Sequence, residues 1–232
     1  LIAELSRYKP NVVVALGNEA LRALTDKDGI TKWQGSILES NVIEGLKVIP
    51  IVHPAYIMRD NWEEYYISKR FFRRIAIEAK SPLLQLKEPE DVFIIRPNLT
   101  QALEFISHIA TSKAQWYLDV ETRGDCLTCF GLSSDARPST AICIPIQTTT
   151  GPYWSVVEEG EIWKRLSLAA RDNPFLCNQN LVYDMEYLLD MGVEPSGFAA
   201  DSMIMSNVNF PELPKGLDFL TSIYTYYPYY KD

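Results

Sequence analysis

The chain has 232 residues, a formal charge of −8 and 47% hydrophobic residues. With 22% charged and 12% aromatic residues, it has the make-up of a folded, core-forming protein of one large or two medium domains, and general disorder is excluded. The acidity argues against a polybasic duplex binder but leaves nucleic acid open as a substrate, because carboxylate-held cations can meet phosphates.

No uninterrupted apolar run approaches the ~18–20 residues that cross a bilayer. The opening LIAELSRYKP carries charge where a secretory signal has an apolar core, so no membrane partner is expected and a cytoplasmic location is. The four cysteines (Cys126, Cys129, Cys143, Cys177) all fall in the second half and read as free thiols. Starting at Leu1 without a methionine and stopping after YTYYPYYKD, the chain reads as cut from something longer. Charge divides it: residues 1–80 carry a net +2 and residues 81–232 a net −10. SPLLQLKEPED, Ser81 to Asp91, has two prolines and no sustained period. The expected division is a first domain over 1–80, a linker over 81–90 and a second domain over 91–232.

In the first segment NVVVALG, Asn11 to Gly17, suits a buried parallel strand. Asn18 is the expected cap of a helix through EALRALT. LKVIPIVHP repeats the strand signal and ends at His53-Pro54, and an amphipathic helix bearing Lys69, Arg70, Arg73 and Arg74 is expected from Trp62 to Lys80. Alternating strands and helices with short links make an α/β layer. Ligands of such sheets bind beyond the carboxyl ends of the strands, here Gly17-Asn18 and His53; taken alone, these are a turn and a loop imidazole.

KPNVVVALGNEALRAL, then GITKWQGS, then KVIPIVHPAYIMR resembles the C-terminal half of uracil-DNA glycosylases of the thermophile-like class. The resemblance implies a glycosylase-like site of Asn18, His53 and Arg59, with His53 stabilising charge near an extruded uracil and Arg59 near the DNA backbone. That family's first motif, with its water-activating acidic residue, falls upstream of Leu1. Base excision needs an enclosed pocket for the flipped base, so the segment reads as an incomplete glycosylase-like domain.

The second segment is expected to run as a strand (DVFIIRPN), a helix (LTQALEFISHIATS, with Thr100 as candidate cap) and three strands (QWYLDVET, CLTCFGLSSD, STAICIPIQ). A helix (EIWKRLSLAARD), a short strand (PFLCNQ) and a second helix (NLVYDMEYLLDMG) come next. This is a mixed sheet with flanking helices, hence α/β. On a strand, Asp119 and Glu121 point to one face. Two adjacent carboxylates repel unless a cation relieves them, and Mg²⁺ is held by one or two carboxylates plus phosphate oxygens. Asn180 and Asp184, four apart, would share one helix face. If that face abuts the Asp119 strand, three carboxylates converge and could flank a phosphodiester with two cations ~3.5–4 Å apart. Singly, each motif is commonplace: a solvated strand edge and a helix-start aspartate.

YLDVET and CNQNLVYD, in that order, resemble the first two motifs of the 3′–5′ proofreading exonuclease domain of family A DNA polymerases, DEDD exonucleases of ribonuclease H-like fold. The resemblance implies catalytic and metal-binding roles for Asp119, Glu121 and Asp184, and substrate-side roles for Asn180 and Tyr183. It also implies two Mg²⁺ or Mn²⁺ ions, a single-stranded or frayed DNA 3′ end as substrate, and a downstream polymerase domain of the same parent chain. DSMIMSNVNFPELPKGLDFLTSIYTYYPYYKD is similar to the segment that bacteriophage family A polymerases carry after the second motif, and some of these have a glycosylase-like domain fused ahead of the exonuclease. That likeness implies a bacterial or phage-infected cell. The third motif, a tyrosine four residues before an aspartate, has no match, since Pro228 precedes Asp232 by four and Gly197 precedes Asp201 by four; Asp201 reads as a helix-start residue.

The lone CxxC of Cys126 and Cys129 does not suggest zinc, and Tyr224 to Tyr230 suit either base stacking or packing on a further domain. Two other readings stand beside the exonuclease: a non-catalytic DNA-binding scaffold, and an RNA-trimming enzyme of the same superfamily.

Overall fold

The computed structural model describes residues 1–82, 91–225 and 227. Most of the expected linker and of the Tyr224–Tyr230 run lies outside them. The chain forms two compact units, Leu1–Leu86 with Asn209–Asp232 and Lys87–Val208.

The first unit runs α1 (Ile2–Tyr8), β1 (Val12–Leu16), α2 (Asn18–Thr25), α3 (Ile30–Trp33), β2 (Leu38–Glu39), β3 (Lys47–Ile51), α4 (Pro54–Ile57) and α5 (Glu63–Glu78). β3 is central, parallel to β1 and antiparallel to β2. That explains why KVIPI does not alternate: all five positions are buried. Its first residue, Lys47, is only 1% exposed, and its ammonium donates to the Glu78 carboxylate at 2.8 Å and the Glu78 carbonyl at 2.7 Å. Ala15, Leu21, Leu24, Leu38 and Val48 form one core cluster. A second gathers Ile67 and Phe71 of α5, one helical turn apart, with Ile51 and Leu213.

Leu213 belongs to the segment that the sequence division assigned to the second domain. Leu213 precedes the last helix among the described residues, α10 (Leu217–Tyr224), which follows α9 (Ser202–Asn209). Arg74 of α5 donates to the carbonyls of Ser222 (2.5 Å), Ile223 (2.9 Å) and Thr225 (2.7 Å), and to that of Gly35 (2.7 Å). Phe210, Phe219 and Ile223 pack on the Ile67–Phe71 cluster. The segment from Asn209 on therefore groups with the first unit, drawn by an apolar helix face and a guanidinium that takes otherwise unpaired helix-end carbonyls.

The second unit runs β4 (Val92–Ile95), α6 (Leu99–Ser112), β5 (Trp116–Arg123), β6 (Cys126–Ser134), β7 (Thr140–Pro145), β8 (Gln147–Thr148), β9 (Gly151–Pro152), α7 (Val156–Asp172), β10 (Leu176–Asn178), α8 (Leu181–Asp190) and β11 (Phe198–Asp201), leading into α9. Its sheet has the order β11-β10-β5-β6-β7-β4. β5, β6 and β7 form an antiparallel meander, while β10 is parallel to both β5 and β11, and β4 is parallel to β7. This is the mixed α/β sheet with flanking helices that the ribonuclease H-like expectation called for. Alternate residues Trp116, Leu118 and Val120 of β5, Phe130 and Leu132 of β6, and Ile142 and Ile144 of β7 are buried in one cluster with α6 and α7. Asp119 and Glu121 fall on the opposite, exposed face.

Helix ends differ in detail from the expectation. α6 is capped by Asn98, not Thr100: Asn98 Oδ1 accepts from Gln101 N at 2.9 Å and Gln101 Oε1 from Asn98 N at 3.0 Å, a reciprocal box. α7 starts several residues before EIWKRLSLAARD because Ser155 and Glu158 form the same box. No helix among the described residues is long and apolar enough to cross a membrane.

Candidate functional site

β10 pairs with β5 only at Leu176↔Trp116 and Cys177↔Tyr117. Beyond that point Asp184, in the first turn of α8, occupies the edge: its Oδ1 accepts from Val120 N at 2.9 Å, between the two exposed acidic residues of the strand. Its Oδ2 accepts from Asn178 Nδ2 at 2.9 Å. The side chain is 2% exposed. Burial pushes its carboxyl up to about 6, and the charge of Asp119 pushes the same way, against the Val120 and Asn178 hydrogen bonds. Asp184 thus faces the Asp119 strand.

The side chains stop short of a closed cage. Among the described residues no three His, Cys, Asp or Glu side chains stand as a group that would hold a metal. The structure brings Asp184 into the field of Asp119, with Glu121 two residues along the same face. This donor set fits Mg²⁺ or Mn²⁺, because a hard cation can use one or two carboxylates and complete its shell with water and phosphate oxygens. A buried carboxylate destabilised by a like charge is one that such a cation relieves.

Asn180 is not on the helix face it was expected to share with Asp184. It caps α8 with left-handed backbone, φ 59°, a conformation that asparagine tolerates. Its N–H donates to Asp201 Oδ1 at 3.3 Å. Asp201 also accepts from Leu181 N (2.8 Å), Met203 N (2.8 Å) and Ile204 N (3.1 Å). Burial raises its pKa, but these four N–H donors outweigh that and hold it below the usual carboxylate range. It joins the starts of α8 and α9, a structural task. Tyr183 sits beside the site, its hydroxyl 2.7 Å from Thr122 Oγ1 and its ring 5.3 Å from Tyr187. Asn178 and Thr122 were not singled out, although both lie inside the two motif strings, CNQNLVYD and YLDVET. All four cysteines are free thiols, and Cys129 stands opposite Glu121 across the β5–β6 ladder.

In the first unit the carboxyl ends of β1 and β3 bring Gly17-Asn18 against His53. Gly17 has φ +85°, and a Cβ there would meet the His53 Cβ at 3.2 Å, so this close approach needs glycine. Gly17, not Asn18, is the cap residue of α2. The Asn18 amide instead donates to Asp28, and its Oδ1 accepts from Gly29 N at 3.0 Å. Arg22 and Asn18 hold the Asp28 carboxyl down to about 2. His53 is exposed and caps α4, its Nδ1 accepting from Ala55 N at 3.1 Å. Arg59 is exposed on the turn after α4, its carbonyl held by the Asn61 amide at 3.1 Å.

Residues 1–80 match the family described as Uracil DNA glycosylase superfamily. A DNA polymerase of Bacillus phage SP01 is 30% identical over 81 residues, which is 34% of this chain and 8% of that protein. A type-4 uracil-DNA glycosylase of Thermotoga maritima is 38% identical over 80 residues, 34% of this chain and 37% of that protein. The chain thus spans well under half the length of each of these curated relatives. The likeness to the uracil DNA glycosylase superfamily, to part of a phage DNA polymerase and to part of a type-4 uracil-DNA glycosylase thus covers about a third of the chain, residues 1–80 in the family match.

Proposed function

We propose that the chain is part of a phage-type DNA polymerase in which a partial glycosylase-like domain precedes a 3′–5′ exonuclease module. The module hydrolyses a single-stranded or frayed DNA 3′ end to nucleoside 5′-monophosphates. The observation that carries this reading is the Asp184 carboxylate seated on the Val120 N–H, between Asp119 and Glu121. Asp184 accepts two hydrogen bonds there, yet burial and the Asp119 charge both disfavour its ionised form, and a bound cation would relieve that cost. The homology of the chain to a phage DNA polymerase supports the same parent.

Each residue has a task in this reading. Asp119 and Glu121 present carboxylates on the open face of β5, where a phosphodiester can approach. Val120 N–H and the Asn178 amide hold Asp184 in one orientation. Tyr183, fixed through Thr122, borders the place where the terminal nucleotide lies, and Asn180 stands at the head of the same helix. Bound to these carboxylates, Mg²⁺ or Mn²⁺ supplies Lewis-acid stabilisation of phosphate charge. The full chain, given 5′-labelled single-stranded DNA and Mg²⁺ or Mn²⁺, shortens it from the 3′ end, and Asp119→Ala lowers the rate by about 10³-fold, the scale of several kcal/mol. Shortening that Asp119→Ala leaves unchanged overturns the proposal.

One second reading, a DNA-binding segment without turnover, is favoured by the lack, among the described residues, of three acidic side chains grouped to hold a metal. Binding of the same probe with no shortening under either cation selects it.

A further inference from the structure

We infer that the cleft between α5 and α10 binds single-stranded DNA through its phosphates, at a place separate from both the carboxylate site and the His53 end of the first unit. The cleft encloses about 260 Å³ and is lined by Arg70, Arg73, Arg74, Ile77, Ile223 and Tyr224, over Phe71.

The three arginines differ in what they have left to give. Arg74 is engaged by the backbone carbonyls of Ser222, Ile223 and Thr225 at the end of α10 and by that of Gly35. The Arg70 guanidinium lies over the Phe210 ring at 4.4 Å and near the Tyr224 ring at 5.2 Å, which fixes its plane while leaving its N–H groups for an acceptor. Arg73 is exposed. Neither Arg70 nor Arg73 forms an ion pair among the described residues. Two guanidiniums converging on one cleft without a carboxylate between them repel each other, and an anion removes that cost.

A polynucleotide suits the surroundings better than a lone anion. Positions 66, 70, 73 and 77 lie along one helical stripe, and 65, 69 and 72 along the one beside it. The two stripes interleave the exposed rings of Tyr65, Tyr66 and Phe72 with Lys69, Arg70 and Arg73, and the exposed Tyr224 lines the cleft beside Arg70. Cations in a row with stackable rings between them are the pattern of sequence-tolerant single-strand binding. The cleft-lining Arg70 and Arg73 lie about 10 and 15 Å along α5 from Glu63, so the cleft lies well along α5 from its start, where the stripe begins at Tyr65. Residues 1–80 also carry the positive part of an otherwise acidic chain.

The test uses the full chain in EDTA, so that no hydrolysis alters the probe, with a fluorescent oligothymidylate of about 12 nucleotides. Lys69→Gln with Arg73→Gln, both exposed, lowers affinity by about tenfold at low salt and flattens the dependence of log K on log salt by about 1.4, two phosphates at ~0.7 each. An unchanged melting temperature assigns the loss to the surface. Unchanged affinity and slope overturn the inference. Displacement of the probe by inorganic phosphate, but not by chloride at equal ionic strength, also overturns it and assigns the cleft to a free phosphate. Asp119→Ala retains the tenfold effect, because the cleft does not depend on the carboxylates.

Discussion

Asp184 carries its burial in its titration. With its carboxyl pushed up to about 6 against ~3.9 unfolded, the folded chain holds a proton that the unfolded chain has lost between those values. The contribution to stability is therefore full below ~4 and is lost as pH rises through about 6. Thermal melts of the full chain in EDTA are expected to show this fall, of about 3 kcal/mol, and Asp184→Asn is expected to remove it, since asparagine does not titrate. If Asp184 helps hold a cation as proposed, added Mg²⁺ is expected to reverse the fall in the parent chain and not in Asp184→Asn. A melt whose pH profile is the same in the parent and in Asp184→Asn would show that the carboxyl titrates normally. The placement of Asp184 beside the Asp119 strand was legible because strand alternation put Asp119 and Glu121 on one face, and Asp184 fell in the first turn of the helix after the neighbouring strand. Asn178 was not legible, since its use depends on where the short pairing of β10 with β5 stops.

At the scale of elements, local rules read well and long-range ones did not. α6 falls on LTQALEFISHIATS as expected, because its apolar period is intact. Its cap moved from Thr100 to Asn98, for the Gln101 side chain sits at the right offset to reciprocate. Asn180 was read as helical, but a residue with positive φ ends the loop before α8. The seat of α10 is set by Arg74, whose partners lie about 150 positions away, and no periodicity reports that. Arg74→Met keeps the stem and strips the donors from four carbonyls. It is expected to destabilise the first unit by about 3 kcal/mol, as buried acceptors lose partners, and to make the Phe210–Tyr224 segment the earliest site of limited proteolysis. Persistence of the parent cleavage pattern in Arg74→Met would mean that the apolar face of α10 suffices.

Across the whole molecule, each unit carries its own core: the 22-residue buried cluster of the large sheet in one, and two smaller clusters in the other. The smaller unit is the vulnerable one, because its Ile67–Phe71 cluster is completed by Leu213, Phe210, Phe219 and Ile223 from the far end of the chain. A chain ending at Val208 loses all four at once. Full burial of a side chain of this size contributes about 1.5–3 kcal/mol; Leu213 is buried and the other three partly so, so their joint loss is a large fraction of the stability of a small domain. Hydrogen exchange on the shortened chain is expected to show protection collapsing along α5 and β3, while Trp116–Val120 and Phe130–Leu132 of the large sheet keep theirs. The opposite pattern, a protected α5 beside an exchanging large sheet, would mean that the last helix serves the second unit and that its packing on α5 contributes little.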